Sequence, residues 1–214
     1  MTEMICFDMD CTLVRSNKLH LKSFNAAFKH NKLPTKTPKE ILPVFSQRSY
    51  LIIKAMHPHL SHSQIQKVSK DHIKFTIKMA KGNITRIRGV IGTLKKLKKH
   101  YKIAILSNCS HKEIDAITKA AGIDENMFDL IIGANEVKHS KPAPDEMFKA
   151  EKLLKIKKGY MVGDSIYDII AGKKAGLKTI GVTTGNHTKK ELLKYKPTKV
   201  FKSVIELPKY LIKD

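Results

Sequence analysis

Asp8 and Asp10 are the residues of this chain whose types and spacing most directly indicate chemistry. They stand two apart, directly after a short apolar run that ends at Phe7, and Thr12 follows them. If residues 4–8 form a buried strand, both carboxylates lie on one side of its carboxyl end, where parallel sheets bind ligands. One carboxylate can then act as a nucleophile and the other as a proton donor and acceptor. A polar turn after a strand would give the same short pattern, so this motif alone does not distinguish a catalytic pair from a turn.

Three later apolar runs, each typical of a buried strand, are also followed by polar residues. The polar clusters are Ser107–Asn108 after residues 103–106, Lys141–Pro142 after residues 130–133, and residues 163–168, with Asp164 and Asp168, after residues 160–162. Because the carboxyl ends of parallel strands meet at one edge of a sheet, we expect these clusters to lie near Asp8.

Taken together and in this order, the four motifs resemble those of the haloacid dehalogenase-like hydrolase superfamily, whose members are mostly phosphatases. The resemblance extends over essentially the whole chain, and residues 140–144 and 171–176 add to it. Within the superfamily, the chain looks most like the phosphoglycolate phosphatase group, whose members carry a helical cap. The resemblance therefore implies a phosphatase that acts on a small phosphorylated metabolite.

The alternation of strand and helix patterns predicts an α/β fold with a Rossmann-like parallel sheet. Between residues 18 and 81 the pattern is helical, with no strand signal, so this block is predicted to be an inserted α-helical cap domain. We expect residues 1–14 and 83–214 to form the core and residues 15–82 to form the cap. Predicted strands lie at 4–8, 103–106, 130–132, 160–162, 179–182 and 199–201.

The resemblance gives each acidic residue a role. Asp8 would attack phosphorus and form an aspartyl-phosphate, and Asp10 would protonate the leaving oxygen and then activate water. Asp164 and Asp168 form a second acidic pair, which would repel Asp8 unless a cation lay between them. Mg²⁺ prefers oxygen ligands and fits that need. The predicted metal ligands are Asp8, Asp10 through its backbone carbonyl, Asp164 and Asp168.

Four residues are expected to bind the phosphate group or support its loop. Ser107 and Asn108 lie where a strand passes into a loop and could hold phosphate oxygens, although the pair alone is also typical of a helix cap. Lys141 matches the phosphate-binding lysine of the family, and Thr12 matches the threonine that supports the first loop.

Arg48 and His20 are the substrate-specificity candidates in the cap. A guanidinium at Arg48 suits a second anionic group of the substrate, and a surface arginine is the alternative. His20 is a candidate substrate contact, with a structural histidine as the alternative. Cys11 stands where the family usually has glycine, and Arg15 stands where many relatives have an acid. Cys11 and Cys109 each follow a predicted site residue, which raises the hypothesis of a reactive thiol. The favoured alternative is that both are small buried side chains that fill space.

The composition is that of a globular protein with a strong basic bias. The net charge is +22, yet 37 of the 41 basic residues are lysines scattered over helical segments. Nucleic-acid surfaces favour arginine, so we expect solvated lysine faces and keep a nucleic-acid partner as an alternative. Three cysteines without regular spacing, no membrane-length apolar run and a strand at the very start predict a cytoplasmic protein without a membrane partner, monomeric or homodimeric.

Two enzymatic alternatives share the four motifs: a phosphomutase of the β-phosphoglucomutase type and a pyrophosphatase. A third alternative is a non-catalytic basic nucleic-acid-binding protein on the same scaffold. All matched catalytic positions hold competent residues, which favours an enzyme over this last alternative.

Overall fold

The predicted apolar runs form the strands of a parallel sheet in the computed structural model, which describes residues 2–212. The strands are β1 (Glu3–Phe7), β2 (Val14–Arg15), β3 (Thr85–Arg86), β4 (Tyr101–Ser107), β5 (Leu130–Gly133), β6 (Gly159–Gly163), β7 (Lys178–Val182) and β8 (Lys199–Phe201). Six of these described strands form one sheet in the order β5-β4-β1-β6-β7-β8, and every neighbouring pair is parallel. The central position of β1 places Asp8 between the residues that follow β4 and β6.

Helices cover both faces of the sheet. They are α1 (Asn17–His30), α2 (Pro38–Ile41), α3 (Ser49–Met56), α4 (His62–Met79), α5 (Val90–Leu97), α6 (His111–Ala120), α7 (Asp145–Leu154), α8 (Ile166–Lys174), α9 (Lys189–Lys194) and α10 (Leu207–Leu211). Side chains of β1 alternate: Ile5 and Phe7 pack in a cluster with residues of α5 and α6, and Met4 and Cys6 pack in another with residues of α7 and α8. Because both faces are buried, these strands read as continuous apolar runs. The predicted fold class is confirmed.

Helices α1 to α4 form the insertion between β2 and β3 and have an apolar cluster of their own. Phe24 and Phe28 of α1 pack there with Ile52 of α3 and Ile65 of α4. The short α2, which the sequence pattern did not predict, begins with a capping box between Thr37 and Glu40. We call this insertion the cap; its boundaries at residues 15–82 remain a prediction.

A two-stranded antiparallel ribbon joins the cap to the core. Val14 pairs with Arg86 and Arg15 pairs with Thr85, so the chain enters and leaves the cap side by side. Two-residue strands are too short to show a periodic pattern, which is why the sequence did not indicate the ribbon. Arg15, which stands where many relatives have an acid, lies in this ribbon and is exposed. Across residues 2–212 no helix has the length and apolar character needed to cross a membrane.

Candidate active site

The predicted catalytic residues converge at the carboxyl edge of the sheet. Asp8 directly follows β1, Ser107 ends β4 and Asp164 directly follows β6. Lys141 reaches the same place from the loop after β5, and Asp168 from the first turn of α8. All five are buried, each less than a tenth exposed. Since each strand ends at this edge, the fold brings together residues that are far apart in sequence.

Lys141 is the centre of this arrangement. Its Nζ donates to Asp8 Oδ1 at 2.7 Å, to Asp168 Oδ1 at 2.8 Å and to the carbonyl oxygen of Leu106 at 2.8 Å. These three acceptors use the three N–H groups of an ammonium ion. Burial alone would lower the pKa of Lys141, but Asp168 and Asp8 hold it well above its usual value. Lys141 is therefore a charged residue that fixes one oxygen of each carboxylate.

Asp8, Asp164 and Asp168 form the carboxylate trio, in which one oxygen from each lies within 4.8 Å of the others. Burial, and then the neighbouring carboxylates, raise the pKa values of Asp8 and Asp164. Two glycines allow this crowding. A Cβ added to Gly185 would overlap Asp164 Oδ2, and one added to Gly163 would overlap Asp168 Oδ2. An all-oxygen donor set with a net negative charge fits a hard divalent cation such as Mg²⁺.

Asp10 points away from the trio and towards the cap. Its Oδ1 lies 3.0 Å from Nε2 of His20, and its Oδ2 accepts from Sγ of Cys109 at 3.1 Å. Burial acts to raise the pKa of Asp10, but the charge and hydrogen bond of His20 outweigh it and lower the pKa to about 2. The cap thus fixes the side chain of Asp10. The predicted metal contact concerned its backbone carbonyl and stays a prediction.

The predicted phosphate-binding residues divide into two groups. Ser107 and Asn108 line the cavity, where Asn108 Nδ2 donates to the carbonyl oxygens of Ser46 and Lys141 at 2.7 and 3.1 Å. Thr12 is fully buried, and its Oγ1 accepts from the backbone N–H of Asp164 at 3.1 Å. The structure therefore places Thr12 as a support of the loop that carries Asp164.

The two specificity candidates in the cap lie in different places. His20 lines the cavity beside Asp10. Arg48 does not line it: its Nη2 donates to the carbonyl oxygen of Ala134 at 2.7 Å, which ties the cap to the loop after β5. The neighbouring Gln47 and Phe45 line the cavity instead. The sequence located the right segment but not which of its side chains faces inward, because that depends on how the cap docks.

The thiols differ from the hypothesis of activated cysteines. Burial, followed by the charges of nearby carboxylates, raises the pKa of Cys109 and of Cys11, which favours the alternative of small structural thiols. Cys11 adopts a φ of 57°, in the left-handed region that favours glycine, in agreement with the usual glycine at this position. Cys11 Sγ lies 3.1 Å from Asn17 Oδ1 of the cap, so it occupies a packed contact.

The cavity between cap and sheet has a volume of about 50 Å³, much less than the roughly 300–1,000 Å³ of sites for drug-sized ligands. The sheet side contributes the carboxylate trio and Lys141, and the cap side contributes His20, Phe45 and His72. The enclosed space suits a group of about the size of phosphate.

A Rossmann-like sheet with buried carboxylates at its edge and a helical insertion after the first strand defines a class of hydrolase. The sequence model of the haloacid dehalogenase-like hydrolase family matches residues 5–182. The chain belongs to this family, and the predictions of the family and of an enzyme are confirmed.

Particular relatives are similar over nearly the full length. Pyrophosphatase PpaX of Bacillus mycoides is 28% identical over 209 residues, which cover 95% of this chain and 94% of that protein. A haloacid dehalogenase-like hydrolase from Bacteroides fragilis superposes with a TM-score of 0.88 at 24% identity, covering 97% of this chain and 100% of that one. A predicted phosphoglycolate phosphatase from Haemophilus somnus gives 0.88 at 23% identity, covering 99% and 98%. The last two similarities support the fold alone.

Proposed function

We propose that this chain is a Mg²⁺-dependent phosphatase that hydrolyses a small phosphate ester through an aspartyl-phosphate on Asp8. The observation that carries the proposal is how Asp8 is held. Its Oδ1 accepts a hydrogen bond from Lys141 Nζ at 2.7 Å, and the other two carboxylates of the trio lie beside it. A carboxylate held in one orientation at the floor of a cavity is arranged to attack a bound phosphate.

The chemistry takes two displacements at phosphorus. In the first, an oxygen of Asp8 bonds to phosphorus, the bond to the ester oxygen breaks, and Asp10 gives that oxygen a proton. In the second, water attacks the aspartyl-phosphate while Asp10 takes a proton from it, so phosphate leaves and the Asp8 carboxylate is restored. Asp10 lines the same cavity as Asp8 without joining the trio. Against the effect of burial, the contact with His20 lowers the pKa of Asp10 to about 2, which favours the ionised form that takes the proton from water in the second displacement.

Mg²⁺ would be held by the carboxylate trio, together with the Asp10 carbonyl, and would supply charge neutralisation between the nucleophile and the phosphate. Lys141 supplies a fixed positive charge in the same place. Ser107 lines the same cavity, and its hydroxyl would donate to a phosphate oxygen. The two side-chain N–H groups of Asn108 are used on the carbonyl oxygens of Ser46 and Lys141, so Asn108 would hold the loops around the phosphate.

The substrate class follows from the size of the cavity and from its charge. A cavity of about 50 Å³ has little room beyond a phosphate group, which favours a short leaving group, as in a phosphoglycolate-like metabolite. Pyrophosphate is the second candidate, because the relative PpaX is a pyrophosphatase and is similar over 95% of this chain.

A turnover panel tests the proposal. The purified chain with Mg²⁺ is given phosphoglycolate, pyrophosphate, hexose phosphates and p-nitrophenyl phosphate, and released phosphate is measured. Hydrolysis of one of the small esters, with a kcat/KM well above that for p-nitrophenyl phosphate, supports the proposal. Conversion of a hexose phosphate to its isomer without release of phosphate would instead indicate a phosphomutase, and no turnover of any ester would refute the proposal.

A further inference from the structure

Three buried residues on the cap side of the cavity lie close enough to share a ligand. His20 comes from α1, His72 from α4 and Glu113 from α6, and they are exposed by 4%, 2% and 3%. One ring nitrogen of each histidine and one carboxylate oxygen lie within 4.8 Å of one another. We call these residues the histidine–glutamate cluster. It has no part in the phosphatase chemistry derived above, apart from the contact of His20 with Asp10.

Neighbouring hydroxyl groups determine which nitrogen of His72 carries the proton. Ser23 Oγ donates to the carbonyl oxygen of His20 at 3.1 Å, so it must accept from Thr76 Oγ1, which lies 2.9 Å away. The one proton of Thr76 is then used, and its contact with His72 Nε2 at 3.3 Å needs the proton of the histidine. His72, whose pKa burial lowers well below its usual value, therefore directs an unprotonated Nδ1 at the cluster.

Glu113 also has an atom, Oε1, that is unpaired within the described residues and faces Nδ1 of His72. Its Oε2 accepts from the backbone N–H and the hydroxyl of Ser110, at 2.9 and 2.7 Å, in the capping box of α6. Its Oε1 lies 3.7 Å from His72 Nδ1. Both atoms are buried, and neither has a hydrogen-bond partner among residues 2–212. The two atoms are too far apart to share a proton, so a cation that bridges them would satisfy both.

We propose that the histidine–glutamate cluster binds a divalent transition-metal ion of the zinc class. Zn²⁺ ligands at about 2.1 Å in tetrahedral geometry lie about 3.4 Å apart, close to the 3.7 Å between His72 Nδ1 and Glu113 Oε1. Two imidazoles and one carboxylate select such an ion over Mg²⁺, which the carboxylate trio suits. Thr76 on His72 and Ser110 on Glu113 already provide the outer hydrogen bonds that orient metal ligands.

The position of the site means that a bound ion would link the cap to the core. Two ligands belong to the cap and one to the core, so a bound ion joins the two parts above Asp10. His72 Nδ1 and Glu113 Oε1 have no other partner among the described residues. His20, whose pKa is, despite burial, raised by the contact with Asp10, gives up a proton when it becomes the third ligand. Three protein ligands leave a fourth position open. Binding is measured without substrate, so the outcome does not depend on the proposed phosphatase activity.

Calorimetric titration of Zn²⁺ into the full chain, stripped with chelator and then held in excess Mg²⁺, tests the proposal. We expect about one equivalent to bind with micromolar or tighter affinity, in competition with neither Mg²⁺ nor phosphate. Glu113→Gln keeps an oxygen for the Ser110 cap and places an amide N–H opposite His72 Nδ1. It should weaken Zn²⁺ binding at least about tenfold and leave the thermal midpoint of the metal-free chain equal or higher.

Matched variants separate this site from other histidines. Glu191→Gln makes the same change in the same type of capping box, with Thr188 on α9, and should bind Zn²⁺ like the parent. His72→Leu should lose binding, whereas His57→Leu, at another buried histidine of the cap, should not. No tight binding in excess Mg²⁺, or equal affinity in the parent, Glu113→Gln and His72→Leu, would overturn the proposal. The second result would place the ion on surface histidines.

Discussion

The carboxylates that Lys141 binds and the histidine–glutamate cluster lie on two sides of the cavity and differ in how their ionisable groups are paired. On the sheet side, Lys141 satisfies Asp8 and Asp168 at once, and its own three donors are all used. On the cap side, His72 Nδ1 and Glu113 Oε1 face each other without a partner in the described chain. The sheet side is organised before any ligand arrives, as electrostatic catalysis requires. On the cap side, the proposed metal ion would supply the partner that these two atoms lack within residues 2–212.

The largest expected effect tests whether the sheet side carries the chemistry. Asp8→Asn keeps the shape of the side chain and removes the anionic nucleophile, so kcat with p-nitrophenyl phosphate should fall by about 10⁴-fold or more. Asp115→Asn, an exposed carboxylate on α6, is the control and should keep parental turnover. Turnover of Asp8→Asn within tenfold of the parent would exclude covalent catalysis by Asp8.

Chelation tests whether the sheet side needs the Mg²⁺ ion that the carboxylate trio is proposed to bind. Removal of Mg²⁺ with excess chelator should abolish turnover, because the carboxylate trio then repels an anionic phosphate, and added Mg²⁺ should restore it. Zn²⁺ at the histidine–glutamate cluster should not restore it. Full activity in excess chelator would show that the trio works without a metal ion.

Lys141→Met tests the charge balance of the sheet side through stability. The variant leaves Asp8 and Asp168 buried without their cation, so the free energy of unfolding should fall by about 3–5 kcal/mol in urea titrations. Lys149→Met removes a half-exposed partner of Glu136 and should cost less than about 1 kcal/mol. Equal losses in the two variants would mean that the Lys141 network contributes no more than a surface ion pair.

Arg48→Ala has the smallest expected effect and concerns how the cap docks. Because the guanidinium donates to Ala134, its loss should cost about 1–1.5 kcal/mol of kcat/KM, and equally for phosphoglycolate and p-nitrophenyl phosphate. Arg88→Ala, at an exposed arginine of the core, should change neither. A loss confined to the doubly anionic substrate would restore the earlier prediction that Arg48 binds its far end.

The contrast between the sheet side and the cap side also explains which features could be predicted from the sequence. All six strands of the parallel sheet were predicted because strands buried on both faces read as continuous apolar runs. Their carboxyl ends then located Asp8, Ser107 and Asp164 without further information, since these residues follow strands directly. Lys141 and Asp168 needed the family resemblance, because a lysine in a loop and an acid in a helix have many other uses.

The cap side could not be predicted in the same way. His72 was visible on the apolar face of a helix, and Glu113 stands three residues after Ser110, which indicates a capping box. Neither signal says that the two side chains meet, because that depends on the docking of α4 against α6. The contact between Arg48 and Ala134 has the same origin, as it joins two parts that only the folded chain brings together.

The ribbon of β2 and β3 has a consequence for how such an enzyme can diversify. The pairs Val14–Arg86 and Arg15–Thr85 keep the two ends of the inserted segment next to each other. A segment whose ends meet can be lengthened, shortened or replaced as a cassette while the path of the surrounding chain stays the same. The residues proposed to break the phosphate bond all lie outside it. Selection can therefore change which molecules are admitted while Asp8 and Lys141 stay in place, provided that the new segment still supplies a partner for Asp10, as His20 does here.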